Sequence, residues 1–362
     1  MSMLNHQTSE AIASRRLLIA QAIVDKEFSI HPEIEIRYGN AARDKSIQDA
    51  QFHLAYLAEA ITADNMALFG DYIAWAKVVL AKRGISSEDL VIHLECMKEA
   101  LWEFMPAALA QVASEFIDIG LEQLPDLPED VPSFIDDATP LGVLAANYMQ
   151  TLLKGDMRGA SKLVLDAVEG GASVKDIYLK VFQRTQYEFG RLWQTNQISV
   201  AEEHYCAAAT QLIMSLLYPR VLASVHGAHT LVAACVAGDL HEIGMRMVAD
   251  FFEMDGWNTF YLGANAPLAS ILEALHEHKA DVLGVSATLT YHVKAVESLI
   301  ASVRNEPSLN EVKILVGGYP FNLASNLWKK VGADGFGRDA QEALAVASQL
   351  LTNSLSYGTT KN

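Results

Sequence analysis

From Thr230 onward the chain changes its hydrophobic period, and that change limits the fold more than any other feature. TLVAACV, NTFYLG, DVLGVSA and KILVGG are short apolar runs separated by amphipathic stretches of helical length. A strand that is apolar at every position must be covered on both faces, and strands alternating with helices pair in parallel through right-handed crossovers. The predicted domain is therefore a doubly wound, flavodoxin-like α/β sheet. Ligands of such sheets bind outside the carboxyl ends of the strands, so chemistry is expected in the loops that follow these runs.

Upstream the pattern is helical. From about Ser9 to Gly120 apolar residues recur at three- and four-residue spacings, with a break at Arg83-Gly84-Ile85. Ser86 and Asp89 then fit a capping box that restarts a helix. This predicts an all-helical first domain over 1–125. The acidic, proline-rich LEQLPDLPEDVPSFIDDATP lacks a helical period and places an exposed linker at 126–140. A four-helix region is expected over 141–225, where Ser173 with Asp176 and Ser199 with Glu202 open helices. Ile177, Val181, Phe189 and Trp193 stand at multiples of four, as one helix face requires. The sheet domain is placed at 226–354 and a polar tail at 355–362.

Composition removes several function classes. A formal net charge of −17 opposes phosphate-backbone binding, which depends on clustered Lys and Arg, so no direct nucleic-acid contact is expected. No run approaches the roughly 20 apolar residues of a membrane span, and MSMLNHQTSEAIASRR lacks a signal-peptide core. The chain is read as cytoplasmic, with no membrane partner. Cys96, Cys206 and Cys235 are odd in number and show no CxxC spacing, so neither a disulfide framework nor a cysteine-held metal or cluster is indicated.

The first expected ligand loop is Gly238-Asp239-Leu240-His241-Glu242-Ile243-Gly244. Asp239 can accept a hydrogen bond from one imidazole nitrogen of His241 while the other faces outward, which is how a metal-ligating histidine is held in one tautomer. Gly244 would let the next helix approach a bulky ligand. On spacing alone these residues serve equally as a helix cap beside a surface histidine. Ser286 reads equally as a strand-end residue, and Gly317-Gly318 as a turn. A dinucleotide site is excluded because no G-x-G-x-x-G follows the first strand.

DLHEIG matches D-x-H-x-x-G, and Ser286-Ala287-Thr288 and Gly317-Gly318 follow at the ends of the later strands, so the domain resembles the cobalamin-binding domain family. The resemblance implies a base-off cobalamin whose nucleotide tail threads alongside Ser286, Thr288 and Gly317-Gly318. His241 would be the lower axial ligand to cobalt, oriented by Asp239.

Ahead of the sheet, Trp193 is followed after nine residues by Glu203-His204. This element resembles the signature of the cobalamin-dependent photoreceptors that include light-released transcriptional repressors. It implies that Trp193 and Glu203 enclose an adenosyl or methyl upper ligand, that light breaks the cobalt–carbon bond, and that His204 takes the upper position in the lit state. The chemistry suits the roles: an indole is a flat apolar cover, a carboxylate accepts ribose hydroxyls, and a neutral imidazole ligates cobalt. Taken without the resemblance, Trp193 reads as a core anchor and Glu203-His204 as a solvated helix start.

The first domain departs from those repressors, which carry a basic DNA-reading module there. DAQFHLAYLAEAI and LFGDYIAWAKVVLAKRGI instead resemble the globin-like domain of the photocobilins, which implies a bound linear tetrapyrrole such as biliverdin. His53, Tyr56, Tyr72, Trp75 and Lys77 are the candidate pocket residues, and Cys96 is read as a buried thiol. The function so implied is light sensing, with output through cap packing, homodimerisation or a downstream signalling partner rather than catalysis. Two alternatives stand: a corrinoid protein that carries methyl groups in a methyltransferase system, which shares this cap and domain, and a helical sensor that binds haem through a histidine of the first domain. A mutase barrel and a radical-enzyme cluster motif are both lacking in the sequence.

Overall fold

The computed structural model describes residues 3–32, 42–223 and 227–358, and the chain divides into two compact units, 1–130 and 131–362. The first unit is helical: α1 (Met3–Ile30), α2 (Ala42–Thr62), α3 (Met66–Ala81), α4 (Ser87–Phe104) and α5 (Ala107–Gln123). The Asn65 side chain caps α3, and Ser86 and Asp89 close a full capping box on α4. Ile12, Ile19 and Ile23 of α1, Leu54 and Ile61 of α2 and Leu94 of α4 are fully buried. Their spacing is the helical stripe that a bundle core requires.

The second unit begins with an irregular segment that has a fixed anchor. The Phe134 N–H donates to Glu188 Oε2 at 2.8 Å, while Arg191 Nη2 donates to Glu188 Oε1 at 2.6 Å. Four long helices follow: α6 (Pro140–Leu153), α7 (Met157–Glu169), α8 over 174–194 and α9 (Val200–Leu216), and then the single turn α10 (Tyr218–Val221). Ser173 and Ser199 cap α8 and α9 as the sequence pattern indicates.

Within α8, Ile177–Phe182 is a π-helical turn. The wider turn breaks the strict four-residue row read from the sequence. Ile177, Val181 and Phe189 are fully buried, whereas Trp193 is only half-buried.

The sheet has five parallel strands in the order β2-β1-β3-β4-β5: β1 (Thr230–Cys235), β2 (Asn258–Tyr261), β3 (Val282–Ser286), β4 (Lys313–Gly317) and β5 (Gly335–Phe336). This is the flavodoxin-like doubly wound order. β1 and β3 are buried at every residue, which explains their unbroken apolar runs. The helix after the first loop, α11 (Ile243–Met254), places Met247 and Phe251 in one core with Tyr148, Tyr178, Phe182 and Phe189, so cap and sheet share buried surface.

The last helix, α12, runs Ala340–Gly358, past the residue 355 at which a tail is predicted, because no glycine or proline interrupts it earlier. The remaining 359–362 and the expected domain boundary at 225/226 lie outside the described residues. Among the described residues, no helix is long and apolar enough to cross a membrane.

Candidate functional site

The parallel register aligns three strand ends. Cys235 of β1 pairs with Ser286 of β3, which pairs with Gly317 of β4. The loops after β1, β3 and β4 therefore stand side by side at the carboxyl edge of the sheet.

After β1 the chain turns at Gly238 (φ +90°), whose N–H donates to Asn265 Oδ1 at 2.7 Å. Asp239 follows with its side chain wholly buried. Its Oδ1 accepts from the His241 backbone N–H at 3.0 Å and lies 2.8 Å from His241 Nδ1. Its Oδ2 accepts from the Thr288 N–H at 2.6 Å. Burial alone would raise this carboxyl, but the bonds from His241 and Thr288 outweigh it and hold Asp239 below the usual carboxylate range. A buried carboxylate fixed at both oxygens holds one face of the His241 ring. The His241 side chain is 56% exposed.

The Asp239 bond raises the His241 pKa against the opposing effect of burial, and the Glu203 carboxylate adds to the rise. Glu203 thus stands close enough across the interface to act on His241. It belongs to the first turns of α9, where its Oε2 lies 2.8 Å from His204 Nδ1, and His204 itself is 74% exposed. Two helical turns further on, Gln211 Nε2 donates to Glu242 Oε1 at 3.1 Å, tying α9 to the residue after His241. Trp193 is half-buried near the end of α8.

The other predicted residues sort by what their surroundings require. Ser286 is buried, and its hydroxyl donates to Cys235 Sγ at 3.4 Å. Gly318 (φ +103°) is forced by the protein itself, since a Cβ there would sit 2.0 Å from Ala287 O. A Cβ on Gly317 would meet Gly337 O at an ordinary 3.4 Å, and a Cβ on Gly244 would meet no protein atom within 4 Å. No protein contact demands glycine at Gly244, which leaves bare backbone open at the start of α11. The exposed side chains of Leu240 and Tyr319 belong to the same loops, and these features fit a large planar ligand with a metal that an imidazole would hold. The three thiols are buried, and burial pushes Cys96 up to about 11 and Cys206 and Cys235 to about 12, so none is poised as a nucleophile.

In the first unit, His53, Tyr56, Tyr72 and Trp75 do come together. Tyr56 and Tyr72 stack with centroids 3.8 Å apart, Tyr72 lies 5.9 Å from Trp75, and His53 meets the Tyr72 edge at 5.5 Å. Lys77 is committed elsewhere, donating to the Leu124 and Leu127 carbonyls at 2.9 and 2.6 Å. The sequence reading missed His93, whose ring lies 4.7 Å from that of His53 and whose Nδ1 lies 3.2 Å from Glu27 Oε2. No local motif marks a pair separated by 66 residues. Burial, reinforced by His93, pushes the His53 pKa well down, and its Nδ1 has no hydrogen-bond partner among the described residues.

Comparison with known proteins identifies the two parts of the second unit. A B12 binding domain family matches residues 229–345, and a second B12 binding domain family matches residues 144–218. The second unit therefore carries a cobalamin-binding module, helical cap first and sheet second. The chain is similar to the dimethylamine corrinoid protein of Methanosarcina barkeri, 34% identical over 33% of this chain and 56% of that protein. It also resembles a corrinoid protein of Desulfitobacterium hafniense, 24% identical over 56% of this chain and 94% of that protein. The chain thus spans about half the length of the first of these relatives. Among solved structures, the monomethylamine corrinoid protein of Methanosarcina barkeri shares the fold, with a TM-score of 0.52 at 22% identity over 57% of this chain and 98% of that one.

Proposed function

We propose that the chain is a corrinoid carrier, which holds cobalamin through His241 and passes a methyl group to and from a methyltransferase partner. The observation that carries this reading is the Asp239–His241 pair at the carboxyl edge of the sheet, facing the cap helix α9. The similarity to corrinoid proteins over both cap and sheet supports it. When bound, cobalamin supplies a cobalt that accepts and releases an alkyl group. The chain's own residues do the rest. Asp239 would orient the imidazole and make its outward nitrogen a stronger donor, Ser286, Thr288 and Gly317-Gly318 line the strand ends where the nucleotide tail would run, and Trp193 with Glu203 would border the side facing the cap.

A second reading, a light-responsive sensor, is favoured by a specific observation. His204 is exposed on the first turns of α9 beside Glu203, the carboxylate that acts on His241, so a small movement of that helix start would offer an imidazole to the upper cobalt face. The first unit adds the partly buried aromatic and histidine cluster in which a bilin such as biliverdin would sit, or a haem held by a histidine. Output in this reading passes through a homodimer or a downstream partner. The test is illumination of the chain loaded with methylcobalamin or adenosylcobalamin. A water-ligated photoproduct, the same in wild type and His204→Ala and with unchanged elution volume, supports the carrier. A bis-histidine photoproduct that His204→Ala abolishes, with a changed elution volume, supports the sensor and overturns the carrier.

A further inference from the structure

The cap and the sheet domain share an apolar core, yet one polar row crosses it. Glu242, Arg246 and Asp250 stand at four-residue spacing on the face of α11 turned toward the cap. Each bonds to a different part of it. Glu242 Oε1 accepts from Gln211 of α9 at 3.1 Å, Arg246 Nη2 donates to Ser215 Oγ of α9 at 2.8 Å and lies over the Tyr218 ring of α10 at 5.2 Å, and Asp250 Oδ2 accepts from the Tyr178 hydroxyl at 2.8 Å. Tyr178 belongs to the π-helical turn of α8, a rare conformation that recurs at functional sites. Asp250 is only 6% exposed, on the same helix as the fully buried Phe251 and Met247 at 3%.

We propose that Glu242, Arg246 and Asp250 form a polar seam along which the cap parts from the sheet domain to uncover the upper face of the cofactor, with the Tyr178–Asp250 bond as its latch. The proposal rests on the reading above that the cap covers cobalt. On that reading a reacting partner would reach the cobalt only when the cap moves. An apolar interface alone resists parting over its whole area, whereas polar groups recover hydrogen bonds to water when exposed.

The latch also senses pH. The groups facing Asp250 are Tyr178 from the π-helical turn, Tyr218 from α10, and Arg246 and Glu253 from its own helix. The helix α12, which also packs on α11, offers the alanines Ala340, Ala343 and Ala347. Burial dominates and raises the Asp250 carboxyl to about 6, although the Tyr178 bond and Arg246 work against it. A carboxyl raised in the shut state and ordinary, at 3.8, once exposed makes opening easier as pH rises between those values, and the effect levels off above the higher one. The opening equilibrium should grow about tenfold from pH 5 to pH 7.5.

The test is hydrogen exchange over residues 174–194 in the full chain loaded with hydroxocobalamin, at pH 5 and pH 7.5, corrected for intrinsic exchange chemistry. Wild type should open about tenfold more at the higher pH. Asp250→Asn, which keeps an acceptor for Tyr178 but cannot ionise, should open equally at both pH values, and less than wild type does at pH 5. Tyr178→Phe should open more at both. A pH-independent wild type, an Asp250→Asn variant that keeps the tenfold change, or a Tyr178→Phe variant that opens no more than wild type would each overturn the latch. A chain that takes up no cobalamin overturns the functional reading instead, and the same comparison on the apo chain then decides the seam.

Discussion

Replacing Asp239 with alanine removes the acceptor of three hydrogen bonds at once. The His241 ring nitrogen can turn to water because its side chain is exposed, but the N–H groups of His241 and Thr288 lose their partner. Bonds to a buried carboxylate contribute roughly 1.5 kcal/mol or more each, so Asp239→Ala should destabilise the second unit by about 3 kcal/mol. For a unit of this size that lowers the melting temperature by roughly 6–12 °C. Scanning calorimetry of the apo chain reads this directly, as a shift of one transition while that of the first unit stays in place. Cobalamin affinity should fall roughly 10–100-fold in the same variant, because the imidazole is no longer oriented. Asp239→Asn, which keeps one oxygen acceptor, should lose less stability than alanine. An unshifted transition in Asp239→Ala would refute the claim that this carboxylate holds the loop.

Two further outcomes follow from other parts of the chain. Gly318→Ala must place a Cβ 2.0 Å from Ala287 O at a φ of +103°, so it should destabilise the sheet domain by roughly 3 kcal/mol or more, read as the loss of soluble folded chain or of its calorimetric transition. Because burial depresses the His53 pKa in the fold, unfolding takes up a proton there, and the first unit should lose stability as pH falls through and below 6.5; His53→Leu should flatten that dependence in acid titrations followed by circular dichroism.

Much of this architecture was legible because its signals are local. The apolar runs that became β1 to β4 are continuous, and the capping boxes at Ser86 and Ser199 lie within three residues of sequence. β5 was not legible, since Gly335–Phe336 is too short to show any pattern and is defined by its pairing with Leu315 and Val316. The π-helical turn of α8 was hidden for a related reason, because tertiary packing of Tyr178 and Phe182 rather than local preference accompanies it. In the site, Asp239 and His241 are two residues apart and readable as a pair, whereas the approach of Glu203 and the Gln211–Glu242 tie depends on how the cap docks. The sequence reading favoured a sensor on Trp193 and Glu203-His204, whereas the relatives are corrinoid proteins, because both uses share the cap and the D-x-H-x-x-G loop and differ in what reaches the upper cobalt face.

The most direct test of the central claim is the visible spectrum of hydroxocobalamin bound to wild type and to His241→Ala. Wild type should show cobalt ligated by a protein imidazole with the cofactor's own base displaced. His241→Ala should bind more weakly, or bind without that imidazole signature. Equal affinity and an identical spectrum in the two proteins would contradict the assignment of His241 as the cobalt ligand and with it the function built on that residue.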